Sequence, residues 1–291
     1  MSNQSENPTI KLGGDLTVSR LGYGSMRNTG AGIWGDHADR DSQKRVLQRA
    51  VELGVNFIDT ADSYGPGSSE TLIGEALHPY AKGTIIATKA GLVRTGPNEW
   101  FPLGRPEYLV QQLHLSLRRL RVETIDLWQL HRVDPLVPIE ESLGPIVDLQ
   151  RQGKIRHIGL SEVSVAEIER ARKVANIVSV QNEYNLGNRK YEDVLAYCEE
   201  HGIAFIPWFP VAAGSLAQAG GPLDSLAATH GVSVAQLSLA WLLQHSPVLL
   251  PIPGTSSIKH LEENIKAQAL KLSAGEWKEV EALAPAIKPY Y

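Results

Sequence analysis

At 291 residues the chain is long enough for one large domain or two ordinary ones, and 43% hydrophobic residues suffice for an extensive core. A net charge of -4 leaves no basic footprint for nucleic acid. The single cysteine, Cys198, excludes an intrachain disulfide and suits a reducing compartment. Residues 1–7 are polar and lack the apolar core of a secretion signal, and no apolar run reaches the roughly 20 residues of a membrane helix. The expected setting is the cytoplasm, with neither membrane nor nucleic acid as partner.

In chain order, residues 9–18 read as a hairpin turning at Gly13-Gly14-Asp15. Short apolar runs then alternate with helical patterns. The first run, 21–24, leads into a polar, glycine-rich loop. A helix over 42–53 places Val46, Leu47, Ala50, Val51 and Leu53 on one face and stops at Gly54. Strand two spans 56–60 and is followed by a helix over 70–77. Strand three spans 84–89, with a loop through Trp100 and a helix over 106–120. In that helix Leu109, Leu113, Leu117 and Leu120 recur at helical spacing.

Strand four spans 124–130, with a helix opening at Pro138 and stopping at Gly153. Strand five spans 155–160, and Ser164 with Glu167 forms a capping box for the next helix. Strand six spans 177–181, with a helix over 188–201. Strand seven spans 203–207, followed by a loop and a helix from Ser233, where Gln236 repeats the capping spacing. Strand eight spans 248–252, and helices cover 257–269 and 273–283.

The strand runs are apolar almost throughout, as strands covered on both faces are. Eight strand–helix units without a linker predict one (β/α)8 TIM barrel with an N-terminal β-hairpin and an extra C-terminal helix. A doubly wound two-domain protein is the alternative, but no linker marks its boundary.

Four polar residues stand at or just beyond strand ends: Asp59 and Tyr64 after strand two, Lys89 closing strand three, His131 closing strand four. In a barrel these positions share one face, where active sites are built. Each alone has an ordinary explanation, as a helix cap, a packed ring or a surface charge. Together they suit carbonyl reduction. Negative charge developing on a carbonyl oxygen needs a proton donor, and a phenol at pKa about 10 is poorly matched to neutral pH. Lowering it by about three units takes roughly 4 kcal/mol, which a lysine cation about 4 Å away supplies at an effective dielectric of about 20. Asp59 would keep Lys89 charged, and His131 would hydrogen-bond the carbonyl.

The stretch Phe57-Ile58-Asp59-Thr60-Ala61-Asp62-Ser63-Tyr64-Gly65, the ending Ala87-Thr88-Lys89 and the run Leu130-His131-Arg132-Val133-Asp134 resemble the aldo-keto reductase family, and the resemblance covers essentially the whole chain. It implies a barrel that binds NADPH without a Rossmann domain. No strand-linked G-x-G-x-x-G occurs here, since Gly22-Tyr23-Gly24 lacks the third glycine. It implies cofactor contacts from Gly24, Ser25 and Met26, with Ser161 and Gln181 on the nicotinamide carboxamide, and from Trp208 and Pro210, with Trp208 where members place an aromatic against the nicotinamide ring. Glu162 stands where many members carry Asn.

Beyond strand eight, Gly254, Thr255, Ser256, Ser257, His260, Glu263 and Asn264 resemble the segment that binds the adenosine 2′-phosphate and adenine. A hydroxyl-rich loop opening a helix is a ready anion site, because free N–H groups and the helix dipole point at it. Gly254 replaces a common Lys and His260 a common Arg.

The function expected is NADPH-dependent reduction of an aldehyde or ketone, with Tyr64 as proton donor and a small-molecule carbonyl compound as substrate. The runs Gly159-Leu160-Ser161-Glu162 and Gln181-Asn182-Glu183-Tyr184-Asn185 are similar to those of bacterial members that reduce pyridoxal. Two alternatives are a cofactor-binding regulatory or redox-sensing barrel with little turnover and a metal-dependent hydrolase. The histidines His37, His78, His114 and His157 lack paired metal-ligand spacing, so no metal is expected. Arg118, Arg119 and Arg121 read as a solvated helix end, and Cys198 as buried. Trp34, the loop around Trp100 and the C-terminal residues are the expected pocket walls. The sequence does not set the oligomeric state; a monomer is the working expectation.

Overall fold

The computed structural model describes residues 8–211 and 221–284. Among these residues eleven strands follow in order: β1 (Thr9–Leu12), β2 (Leu16–Ser19), β3 (Tyr23–Gly24), β4 (Phe57–Asp59), β5 (Ile85–Ala90), β6 (Leu92–Gly96), β7 (Glu99–Pro102), β8 (Ile125–Leu130), β9 (Ile155–Ser161), β10 (Ile177–Gln181) and β11 (Ala204–Phe205). Seven of them form one parallel sheet in the order β11-β10-β9-β8-β5-β4-β3.

Residues 248–252 complete the ring. Leu249 bridges Phe205 in parallel. Phe205 N donates to Val248 O at 2.9 Å, Leu250 N to Phe205 O at 2.8 Å, and Gly22 N to Pro251 O at 2.9 Å. The predicted eighth strand is therefore a bridging stave rather than a regular strand. Pro251 has no N–H to give a ladder, but its carbonyl still ties the segment to the first stave.

Among the described residues, ten α-helices surround the ring: α1 (Arg40–Glu52), α2 (Ser68–Leu77), α3 (Pro106–Leu120), α4 (Ile139–Arg151), α5 (Val165–Arg172), α6 (Glu192–His201), α7 (Asp224–Thr229), α8 (Val234–His245), α9 (Ile258–Lys266) and α10 (Ala274–Leu283). Their starts are set locally. Capping boxes open α5 at Ser164, α8 at Ser233 and α10 at Ser273, each satisfying backbone donors at the helix start. In α3, Leu109, Leu113, Leu117 and Leu120 are all buried against the sheet, as their spacing predicts.

The hairpin β1–β2 turns through Gly13 and Gly14, both at positive φ. Its Leu12, Leu16 and Val18 pack onto Phe57, Ile85, Leu127, Val178, Ala204 and Leu250, closing the N-terminal mouth of the barrel. Asn56 latches it by accepting from Ser19 N and donating to Thr17 O. The opposite mouth is left for the loops that follow the strands.

Some boundaries differ from the sequence reading. The expected loop through Trp100 contains the antiparallel hairpin β6–β7. Pro138 is the residue before α4 rather than its first helical residue. α6 begins at Glu192, α7 was not anticipated, and the 257–269 segment is α9 plus a 3-10 turn, Ala267–Ala269. Arg119 is no idle surface charge, because it pairs at 2.6 Å with Glu70, whose side chain is buried. Cys198 is buried, and burial pushes its thiol up to about 12. The C-terminal pocket wall expected beyond Leu283 lies outside the described residues.

Candidate active site

Asp59 ends β4, and the backbone continues in register with β5: Thr60 N donates to Ala87 O and Asp62 N to Lys89 O. This short parallel extension brings the loop holding Tyr64 over the end of β5. Lys89 Nζ donates to Asp59 Oδ1 at 2.6 Å, to Thr60 O at 2.8 Å and to Tyr64 Oη at 3.4 Å. Asp59 Oδ2 accepts from Gln181 Nε2 at 2.9 Å and from Gln129 Nε2 at 3.4 Å. The ion pair is therefore buried but fully hydrogen-bonded, which is the condition for keeping two charges inside a protein.

His131 lies edge-on to Tyr64, with ring centroids 5.9 Å apart, and Ser63 Oγ is 3.3 Å from its Nδ1. Burial, with Arg132 and Lys89 nearby, holds the imidazole well below its usual pKa, so it is neutral at physiological pH. Burial alone would lower the Lys89 pKa, but Asp59 and Tyr64 outweigh it and the amine stays charged. For Tyr64 the balance goes the other way. Burial raises the phenol above its ordinary value, and Lys89 only partly opposes this. The expectation of a phenol tuned down toward neutral pH is thus reversed in net direction. Desolvation outweighs a single cation 3.4 Å away, and the phenol is held protonated.

These groups open onto one cavity of about 820 Å³, lined by Gly24, Met26, Asp59, Tyr64, Trp100, His131, Arg132, Ser161, Gln181, Trp208, Pro210 and Gly254 among others. Lys89 sits just behind the wall through Tyr64. Of the expected cofactor contacts, Ser25 is buried behind it, its Oγ bonded to Asp59 O and paired with Ser69 Oγ. Thr255, Ser256 and Ser257 form the turn into α9, with Ser257 Oγ accepting from His260 N at the helix start. His260 is exposed on the first turn of α9, whereas Asn264 is buried and Glu263 partly so. Asp59, Tyr64, His131, Ser161, Gln181 and Trp208 thus share one cavity, and the residues expected at the cofactor phosphate follow from Gly254 along the start of α9.

The backbone explains the departure at Gly254. A Cβ there would lie 2.8 Å from Gly24 O, and a Cβ on Gly24 would lie 2.7 Å from Ile252 O. First stave and closing segment touch backbone to backbone, leaving no room for a lysine. Arg27 supplies a cation beside this contact. Its Cγ would be 3.8 Å from that Cβ, and Arg27 lines the cavity. It escaped the sequence reading, which looked for charge only along residues 254–264.

Glu162 also departs from the family pattern. It stands at φ 54°, in the left-handed region. Its carboxylate accepts from Trp208 Nε1 at 2.7 Å, Glu183 N at 2.6 Å and Tyr191 Oη at 2.9 Å. Its bonds to the indole and the phenol hold the aromatic wall.

The sequence reading missed Arg94 altogether. This buried side chain donates from Nε to Glu99 O (2.9 Å), from Nη1 to Ile33 O (2.5 Å) and Ser63 O (3.1 Å), and from Nη2 to Gly32 O (2.7 Å) and Gly96 O (3.1 Å). Its guanidinium stacks 3.5 Å from the Trp100 ring centroid, with Trp34 on another side at 5.7 Å. It joins the loop after β3, the loop bearing Tyr64 and the β6–β7 hairpin. The signal available was Gly96-Pro97-Asn98, a turn sequence between two short runs.

The family model for the aldo/keto reductase family matches residues 20–285. The chain belongs to the aldo/keto reductase family. It is accordingly an oxidoreductase. An uncharacterized oxidoreductase of Schizosaccharomyces pombe is 55% identical over 270 residues, 93% of this chain and 88% of that one. The pyridoxine 4-dehydrogenase of Escherichia coli is 42% identical over 89% of this chain and 93% of its own. Among aldo/keto reductase structures, the glycerol dehydrogenase of Gluconobacter oxydans superposes with a TM-score of 0.88 at 29% identity, covering 98% of this chain and 97% of that one. An aldo-keto reductase of Klebsiella pneumoniae in complex with NADPH superposes at 0.82 with 26% identity, covering 96% and 95%.

Proposed function

We propose that the chain reduces the carbonyl of a small aldehyde or ketone to an alcohol with NADPH, and that Tyr64 donates the proton. The observation that carries this reading is the chain Asp59–Lys89–Tyr64, at 2.6 and 3.4 Å, with neutral His131 beside the phenol on one cavity wall.

The cavity suits the cofactor. Gly24 and Gly254 form a backbone cradle that a side chain would fill, and Ser161 and Gln181 offer a hydroxyl and an amide beside Trp208. Ser161 and Gln181 would hold the carboxamide, Trp208 would face the nicotinamide ring, and the start of α9 would take the phosphate end. NADPH, when bound there, supplies the hydride that reduces the carbonyl carbon.

The residues govern what happens to the oxygen. A substrate carbonyl between Tyr64 and His131 receives a hydrogen bond from each. In the tautomer in which Ser63 Oγ donates to Nδ1, Nε2 of His131 carries the proton and is the donor. As negative charge builds on oxygen, the Tyr64 proton crosses to it, and Lys89 stabilises the phenolate left behind. A phenol with a raised pKa keeps its proton until that moment, which suits a donor in the reductive direction. The relationship to a pyridoxine 4-dehydrogenase supports a small aromatic aldehyde such as pyridoxal as substrate.

Tyr64→Phe tests the assignment. NADPH oxidation with a small aldehyde is expected to fall at least a hundredfold, while NADPH binding followed by fluorescence stays within about threefold. Substantial turnover by the variant would sink the role given to Tyr64.

A further inference from the structure

Arg132 follows His131 directly, at the end of β8, and lines the cavity. Its Nη1 is committed, donating to His131 O at 2.6 Å and Ser161 Oγ at 3.2 Å. Its Cζ lies 6.0 Å over the Trp208 ring. The other two nitrogens, Nε and Nη2, have no hydrogen-bond partner among the described residues, and neither is among the polar atoms sealed from solvent. Among the described residues no carboxylate forms an ion pair with this guanidinium. Glu162 and Glu183 act on it only through space, and the Glu162 oxygens are taken by Trp208, Tyr191 and Glu183 N.

A half-buried cation with no carboxylate in direct contact is incompletely compensated, and such positions persist where a ligand completes them. The free Nε/Nη2 edge is the edge that binds a carboxylate through two parallel hydrogen bonds. Charge in the cavity argues for one negative charge close to the reacting carbonyl. Asp59 is already paired with Lys89, His131 is neutral, and Arg27 lines the cavity beside Gly254.

We propose that Arg132 anchors a carboxylate on the substrate, so that the carbonyl compounds best reduced are those bearing a carboxylate on the same small framework. The anchor rests on the carbonyl-reductase reading above and adds the substrate class to it. It would place the acid beside His131, with the carbonyl between His131 and Tyr64. Arg132 is thus assigned to binding and specificity, and the proton transfer remains with Tyr64.

The test compares 4-carboxybenzaldehyde with methyl 4-formylbenzoate, the same framework with its charge removed, using full-length enzyme and NADPH. In the wild type, kcat/KM for the acid is expected to exceed that for the ester at least tenfold. In Arg132→Met the ratio is expected to collapse to about one through a rise in KM for the acid, with the ester losing less. Arg132→Lys keeps the charge but not the two-pronged edge and is expected to fall between, which covers a failure of the methionine variant to fold. An acid-to-ester ratio near one in the wild type overturns the anchor, as does a ratio that Arg132→Met leaves unchanged. A parallel NADPH titration adds a readout independent of turnover. If Arg132→Met loses cofactor binding and both aldehydes fall equally, Arg132 serves the cofactor and the proposal is wrong. Absence of NADPH-dependent turnover with either aldehyde in the wild type would instead remove the reductase reading, and the anchor with it.

Discussion

Glu162 and Trp208, 46 residues apart in the chain, meet through a 2.7 Å hydrogen bond from the indole Nε1 to the carboxylate. The same carboxylate takes a backbone N–H from Glu183 and a phenol from Tyr191, so its own position is fixed from three sides. The orientation of the aromatic wall is therefore set by a residue that need not touch any ligand. Hydrogen bonds to a charged group contribute about 1.5–3 kcal/mol. Glu162→Ala is expected to weaken NADPH binding about tenfold, measured by fluorescence titration. Glu162→Gln keeps an acceptor and should lose much less. Equal, unchanged affinity in both would separate Trp208 from the cofactor.

The Asp59–Lys89 pair lends itself to a double-mutant cycle. Lys89→Met leaves Asp59 buried with only amide donors, and breaking such a pair costs about 3 kcal/mol or more. Asp59→Asn with Lys89→Met together should recover much of that stability in urea denaturation, because no orphan charge remains. Reductase activity should stay lost in all three variants. Recovery of activity in the double variant would mean that the lysine acts only through folding.

Asp62 provides a pH signature. It is buried, its Oδ1 has no partner among the described residues, and Tyr108 Oη donates to Oδ2 at 3.1 Å. Burial, with Glu70 nearby, pushes its pKa from 3.8 up to about 8. Between those values the unfolded chain has released the proton while the folded chain keeps it, so the folded state binds more protons. Stability from this group is full below 3.8 and declines as pH rises, until about pH 8. The slope cannot exceed about 1.4 kcal/mol per pH unit. Asp62→Asn, which imitates the protonated form, should flatten the decline of thermal stability between pH 5 and about 8. An unaltered pH profile would show that Asp62 ionises freely.

At the segment proposed to hold the cofactor phosphate, Gly254→Lys would restore the residue common in the family. The close approach of Gly24 O predicts a loss of about 1–3 kcal/mol of stability from overpacking and no gain in NADPH affinity. Arg27→Ala should weaken NADPH about tenfold and NADH less, compared by parallel titrations. If NADPH and NADH weaken equally, Arg27 does not serve the 2′-phosphate.

What the sequence disclosed depended on how local the signal was. Asp59, Lys89 and His131 each end an apolar run, and barrel geometry then places those ends together without further information. Leu109, Leu113, Leu117 and Leu120 announced their buried face by spacing alone. The capping boxes at Ser164, Ser233 and Ser273 were equally local, although only the first two drew notice. By contrast, Glu162 gains its meaning from partners at 183, 191 and 208, which no periodicity connects. The hairpin β6–β7 was hidden because its inward residue is an arginine, which by composition reads as surface. The eighth stave was legible as a strand, yet Pro251 and the approach of Gly24 and Gly254 reduce it to a bridge. The Tyr64 phenol was misjudged for a different reason: its neighbours could be listed from the sequence, but the depth at which they lie could not.

Arg94 has a consequence for how this barrel can diversify. Natural relatives of a barrel enzyme change specificity by trading individual loops, because the scaffold below does not notice. Here the carbonyls of Gly32 and Ile33, Ser63, and Gly96 and Glu99 all accept from one guanidinium. A graft of any one of these loops from another protein would arrive without its share of that cation and would leave the other two slack, including the one that carries Tyr64. The three loops form a single inherited cassette, and exchange of specificity by recombination is expected to succeed only when they travel together with Arg94.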